Sequence, residues 1–266
     1  MKIPFSTLKR NAKDTLRGNW GNAIGILVVY GLIVYAASLL SMFFYPFREA
    51  MELSQNPAAD ITDIMAIYPK MGTMWLVSML VSVFFIAPLS GGYLKVWLDR
   101  SRGQHTTIGT LFWMFSSRYT AYLKTYVWML LFTFIWTMLF FTAMGICIAV
   151  MVVSAPLGCL LLIGAIIGLV LIIARYEMTL YLFIDHPEKS CRVLLNESKR
   201  LMSGNLWRFI GLSFSFIGWM LLCIFIVPAL WVSPYMNVTL ANFYRSLIGD
   251  LPQQKAAEPA KAELEY

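Results

Sequence analysis

The chain has 266 residues, of which 59% are hydrophobic and only 13% charged, with a formal net charge of +7. Soluble domains carry about 25% charged residues, so a polar skin this thin excludes a water-soluble globule and leaves lipid as the outer solvent. The positive balance does not call for nucleic acid either, because the basic residues sit in short segments beside apolar runs, where membrane topology accounts for them.

The first predicted element is a short amphipathic helix. Ser6 is placed to cap it; Leu8, Ala12 and Leu16 form one stripe, and Lys9, Lys13 and Arg17 form the next. Gly18 supplies a left-handed stop. The first span follows at about 22–44, since about 20 apolar residues cross the hydrocarbon core. It is too long for the roughly 7–15-residue apolar region of a signal peptide, and no small-x-small site follows, so it is expected to stay as an anchor. The 45–72 loop carries Glu49, Glu52, Asp60 and Asp63.

The second span, about 73–94, ends in "PLSGGYLK". Gly91-Gly92 there marks a kink or a close helix approach, and the stretch lacks the GK[ST] ending and preceding strand of a phosphate loop. Ile108, Leu111, Phe112 and Phe115 then follow i, i+3, i+4, i+7 spacing, a degenerate further amphipathic helix. The third and fourth spans, about 126–152 and 157–176, are joined by the tight "SAPLG" hairpin. Asp185, Pro187 and Glu188 then read as a capping-box opening to a second amphipathic helix. In it Cys191, Leu194, Ser198 and Leu201 share a face, Lys189, Arg192, Asn196, Lys199 and Arg200 cover the other, and Gly204 ends it. The fifth and sixth spans, about 208–227 and 229–247, are separated by Pro228. The tail is polar and Ala/Pro-rich and reads as disordered over 249–266.

Lys and Arg orient these spans. Of the 21, only Arg48 and Lys70 fall on the side of the 45–72 loop; Arg175 ends the fourth span and the rest lie on the other side. Both termini are therefore expected in the cytoplasm. The expected fold is an all-α polytopic membrane bundle of six transmembrane helices with cytoplasmic interfacial amphipathic helices, forming one integral domain over 1–248.

One phrase occurs twice: Lys13, then Gly18-Asn19 and Trp20; Lys199, then Gly204-Asn205 and Trp207. Each stands before a long apolar run, as a membrane-entry device. The amphipathic helix would lie at the interface with its apolar stripe among acyl chains, and Trp20 and Trp207 at headgroup depth. Lys9, Lys13, Arg17, Lys199, Arg200 and Arg208 are then candidate contacts for anionic lipid, at about 1 kcal/mol per charge. The alternative is that these charges only hold each hairpin the right way round.

A second candidate is a polar cavity between the fourth and sixth spans. Arg175 and Glu177 end the fourth; Asn237, Thr239, Asn242 and Arg245 make the sixth too polar for a lipid-facing helix. They either hydrogen-bond within the bundle or line a cavity, and the latter would suit a small transporter or channel-like protein. Enzyme chemistry finds little support: a membrane hydrolase would need a convergent cluster, such as His186, Glu177 and Asp185 around one water-filled pocket, that the sequence does not show. His105 and His186 lie far apart, no HExxH, GxSxG or paired-carboxylate pattern occurs, and Cys147, Cys159, Cys191 and Cys223 form no CxxC. No catalytic residue, metal or cofactor is expected.

The stretches "NAKDTLRGNWGNAIG", "FIDHPEKSCRVLLNESKRLMSGNLWRFIGLSFSFIGW" and "PYMNVTLANFYRSL" closely resemble the bacterial integral-membrane family catalogued as domain of unknown function 975, over residues 1–248. Its most specific parts are Ser198-Lys199 with Gly204 and Trp207-Arg208, the Ser215–Trp219 run, Pro234-Tyr235 and Phe243-Tyr244; the 141–170 stretch departs from the pattern. More distantly, the layout is similar to the membrane domain of some glycerophosphodiester phosphodiesterases. That likeness suggests lipids and transfers no catalytic residue. The resemblance implies a bacterial plasma membrane and no established activity; the basic interfacial helices make membrane lipid, or a partner in the bilayer, the expected partner.

Overall fold

The computed structural model describes residues 3–56, 60–116 and 118–251. All regular structure among them is helical. α1 (Phe5–Leu16) turns at Gly18 into α2 (Trp20–Met42). α3 (Phe47–Gln55) follows, then α4 (Ile61–Val81), which passes through a π-helical turn at Ser82–Ile86 into α5 (Ala87–Ser101). A 3-10 segment (Ile108–Phe115) leads to the hairpin of α6 (Tyr119–Val153) and α7 (Ala155–Ala174). The chain ends in α8 (Thr179–Asp185), α9 (Cys191–Met202), α10 (Leu206–Phe214), α11 (Ile217–Leu222) and α12 (Ile226–Ile248).

Among the described residues, four stretches have the length and apolarity to cross a bilayer: Trp20–Leu40, Ile61–Ser101, Tyr119–Val153 and Ala155–Asp185. α9 with α10–α11 passes as a pair bent by 77°, which makes five if it is one span. Six crossings were expected. The run at 208–227 is broken at Ser215-Phe216 into α10 and α11. α12 has 23 residues, yet Asn237, Thr239, Asn242 and Arg245 dilute its apolarity, and it is not among the four. "PLSGGYLK" does not end a helix: the second apolar run continues as one 41-residue rod to Ser101.

The packing has two zones. Large apolar side chains stand exposed along α2, α4, α6 and α7, among them Leu32, Tyr35, Trp75, Met79, Phe134, Leu139, Leu160 and Ile163. At most 22% of any of the four apolar windows is buried. Hydrocarbon is the solvent such surfaces need. The protein's own core lies elsewhere, around α5 and α12. Onto this pair pack α1, α2, α8 and the 3-10 segment, contributing Leu8, Leu111, Met114, Phe183 and others to one cluster with Trp97, Phe243 and Tyr244. A Cβ at Gly92 would overlap the Leu111 carbonyl, so the Gly91-Gly92 pair serves close approach of the 3-10 segment to the α5 backbone.

Four local expectations are corrected. Leu8, Ala12 and Leu16 are fully buried, with α1 packed on α12 and α5; the apolar stripe meets protein, whose interior is denser than lipid tails and matched in shape. The residues at 108–115 form a 3-10 rather than an α segment, so Leu111 and Met114, three apart, turn inward while Ile108, Phe112 and Phe115 are exposed. The second amphipathic helix opens at Cys191 after Ser190, and Asp185 is the last residue of α8. Its carboxylate is taken by Arg102 and Tyr244. Likewise Ser6 lies inside the first turn of α1, behind an N-cap at Pro4. Among tail residues, those after Leu251 lie outside the described residues.

Candidate functional site

The repeated phrase folds the same way twice. Gly18 (φ 81°) and Gly204 (φ 77°) both adopt the left-handed conformation. The residue before each is extended, Arg17 at φ −61°, ψ 125° and Ser203 at φ −60°, ψ 121°. Asn19 N–H donates to Leu16 O at 3.0 Å and Asn205 N–H to Met202 O at 2.9 Å. Each Asn carbonyl then accepts the first bond of the following helix, from Ala23 and Phe209. Lys-x4-Gly-Asn is thus a helix stop fused to a helix start.

The first junction lies beside a groove. Lys13, in the last turn of α1, and Arg17, just past its end, are both exposed and stand with Asp14 on a cavity of about 440 Å³ lined by Trp20, Trp219, Trp231 and Tyr235. The Lys13 ammonium is 5.7 Å from the Tyr235 ring centroid. Two cations and one carboxylate over four aromatic rings leave a positive rim on an amphipathic wall. Such a wall suits a phospholipid at headgroup depth.

The other basic candidates divide. Lys9 donates to Ser215 O at 3.2 Å and lies 4.4 Å from the Phe216 ring centroid. It therefore caps the C-terminus of α10, and burial, then Lys13, hold its ammonium below the ordinary lysine value. Arg208 donates to Ile3 O at 2.6 Å and to Asn205 Oδ1 at 3.1 Å. These two tie α1 to α10. Lys199 and Arg200 are exposed on α9, outside the groove lining.

The five polar-cavity candidates are not brought together. Arg175 is exposed after α7, its carbonyl accepting from Ser198 Oγ at 2.9 Å. Glu177 lines an apolar groove of about 390 Å³ between α7 and α10–α11, with Val170, Phe209, Phe214 and Met220. Asn237 donates to Ser233 O at 2.8 Å and Tyr93 OH at 3.3 Å. Asn242 is buried and donates to Leu8 O at 3.3 Å, and Thr239 donates to Tyr235 O at 2.7 Å. Arg245 turns away toward the end of α5.

There it joins a polar junction that sequence reasoning missed. Arg102 donates in bidentate fashion to Asp185 at 2.7 and 2.8 Å, and to Asp250 Oδ2 at 3.0 Å. Tyr244 OH donates to Asp185 Oδ2 at 2.8 Å. Arg245 donates to Asp250 Oδ2 at 3.1 Å, to Asp250 O at 2.8 Å, and to Ser101 O. Burial pushes the Asp250 carboxyl up, but the hydrogen bonds and charges of Arg102 and Arg245 outweigh it and hold it below the usual value. Asp185 pulls Arg102 further up from an already high value, against the opposing effect of burial. The junction fixes the ends of α5, α8 and α12 to one another. Its one sequence signal was isolated acids, Asp185 and Asp250, among basic segments, and that signal reads equally well as a helix cap.

Long exposed apolar helices joined by a buried, arginine-rich cap define the class, an all-helical membrane protein with four to five helices able to cross a bilayer. The chain belongs to the family described as "Protein of unknown function (DUF975)", whose model matches residues 1–250. No curated protein and no solved structure matches it.

Proposed function

We propose that this is a multi-pass protein of the bacterial cytoplasmic membrane that binds anionic lipid headgroups and catalyses no reaction. The observation that carries the reading is the groove in which Lys13 and Arg17 stand over Trp20, Trp219, Trp231 and Tyr235. Headgroup phosphate would meet the two cations, and the glycerol and upper acyl chains would meet the indoles. The membrane placement follows the charge bias. The segments 2–17, 95–124, 189–208 and 245–261 hold 18 of the 21 Lys and Arg, and both termini belong to that cytoplasmic side. α12 serves as the sixth crossing, its polar residues screened from lipid by α1, α2 and α5. A transport role draws less support, because Asn237, Thr239 and Asn242 spend their donors inside the protein.

Reconstitution into nanodiscs tests the reading. Discs containing phosphatidylglycerol should retain that lipid through native mass spectrometry and raise the thermal midpoint relative to phosphatidylcholine discs. Lys13→Gln with Arg17→Gln should remove most of the difference. Equal retention and stability in the two lipids would overturn it.

A further inference from the structure

A second cavity, of about 400 Å³, lies between the first Gly-Asn junction and the end of α5, lined by Asn19, Asn22, Arg100, Arg102, Thr106 and Arg245 among others. It shares no residue with the Trp-lined groove, and its volume is that of a small-ligand site.

Its charges do not balance. Arg102 and Arg245 are matched by Asp185 and Asp250, two against two. Arg100 is 6% exposed and has only neutral partners. Its Nε and Nη2 donate to Thr106 Oγ1 at 3.2 and 2.7 Å, its Nη1 to Asn19 O at 3.4 Å, and its Nη2 also to Asn22 Oδ1. Asp99, its neighbour in the chain, is paired with Lys95 at 2.7 Å. Among the described residues no carboxylate lies within ion-pair distance of Arg100, and none lines the cavity. A guanidinium buried without a counter-ion is costly to keep. The carbonyl end of α5 offsets it only in part, since a helix C-terminus carries about half a charge and Arg102 N, Gly103 N, Gln104 N and the Arg245 side chain share the carbonyls of Leu98, Arg100, Asp99 and Ser101. α2 starts at this same place, with Asn19 and Asn22 at its first turn, and a helix N-terminus favours an anion.

We propose that this cavity binds a phosphoryl group, as a phosphomonoester or phosphodiester, with Arg100 as its counter-ion. The planar guanidinium has a donor geometry suited to phosphate oxygens, and the Thr106 and Asn22 side chains hold that plane in place. The group can reach the cavity from a lipid headgroup or from a soluble phosphate compound.

The full chain in phosphatidylcholine nanodiscs would be titrated with pyrophosphate at constant ionic strength, and compared with discs containing phosphatidic acid. One of the two probes should raise the wild-type thermal midpoint by about 3 °C or more. A response to pyrophosphate in neutral discs identifies a soluble compound; a response confined to phosphatidic acid identifies a headgroup. Arg100→Gln should weaken the response at least about tenfold, which is one 1.4 kcal/mol step. Asn22→Asp supplies the missing carboxylate from within, so it should raise the midpoint without any probe and abolish the response. This variant carries the test if Arg100→Gln fails to fold. The lipid arm is read in the Lys13→Gln/Arg17→Gln chain, whose groove no longer answers anionic lipid; its response to pyrophosphate or phosphatidic acid should persist, which separates this site from the groove. The proposal falls if neither probe shifts the wild type beyond a chloride control, or if Asn22→Asp responds as the wild type does.

Discussion

Asp185 shows how one residue's meaning changes between chain and fold. In the sequence it stands before Pro187 and Glu188 and reads as a helix cap. In the structure it accepts two bonds from Arg102 and one from Tyr244, joining three helices. The Arg102 and Asp185 side chains retain 23% and 16% exposure, so the pair is mostly shielded from water. Removing one partner of such a pair leaves the other charge stranded. Asp185→Ala should therefore cost about 3 kcal/mol, the low end for a buried pair because Arg102 keeps Asp250. Thermal unfolding in detergent checks it, with Asp185→Asn falling less because its amide oxygen still accepts from Tyr244. An unchanged midpoint in the alanine variant would mean the pair contributes no stability.

Among the elements, the contact of α5 with the 3-10 segment depends on the absence of a side chain. A Cβ at Gly91 would come within 2.8 Å of the Tyr122 ring, and one at Gly92 would meet the Leu111 backbone itself. A ring can tilt; a backbone carbonyl in a packed segment has nowhere to go. Gly92→Ala should thus destabilise by about 2–3 kcal/mol through overpacking, and Gly91→Ala by less. Protease sensitivity of the 102–118 region, compared between the two variants, gives the readout. Equal sensitivity would show that the 3-10 segment shifts freely. The Gly-Gly pair was legible in the sequence as either kink or close approach; only the facing Leu111 decides between them. The α1 stripe teaches the same lesson. Its spacing is plain in Leu8, Ala12 and Leu16, but no property of α1 alone says whether lipid or α12 covers it.

For the whole molecule, the proposed orientation rests on the charge bias along the chain. The 45–56 connection and the Gly204 junction fall on opposite sides of the charge bias. In a chain whose own cysteines are replaced, Asn56→Cys should react with a membrane-impermeant maleimide on intact cells. Ser203→Cys should react only after permeabilisation. The reverse pattern would invert the topology.

The sequence by itself determined the apolar spans, the helical class and the two Gly-Asn junctions. Apolar length, charge position and the needs of a left-handed glycine are local properties, written in consecutive residues. The sequence could not supply the polar junction, the cavity beside Arg100 or the floor of the groove. Those depend on which helix end meets which: Arg100 and Asn22 are 78 positions apart, and Arg102 and Asp185 are 83. Such pairings are selected by the packing of α1, α5, α8 and α12 into one cap. Tertiary structure alone decided that Arg102 and Arg245 are neutralised while Arg100 is not, because burial and the number of nearby carboxylates exist only once the helices are assembled.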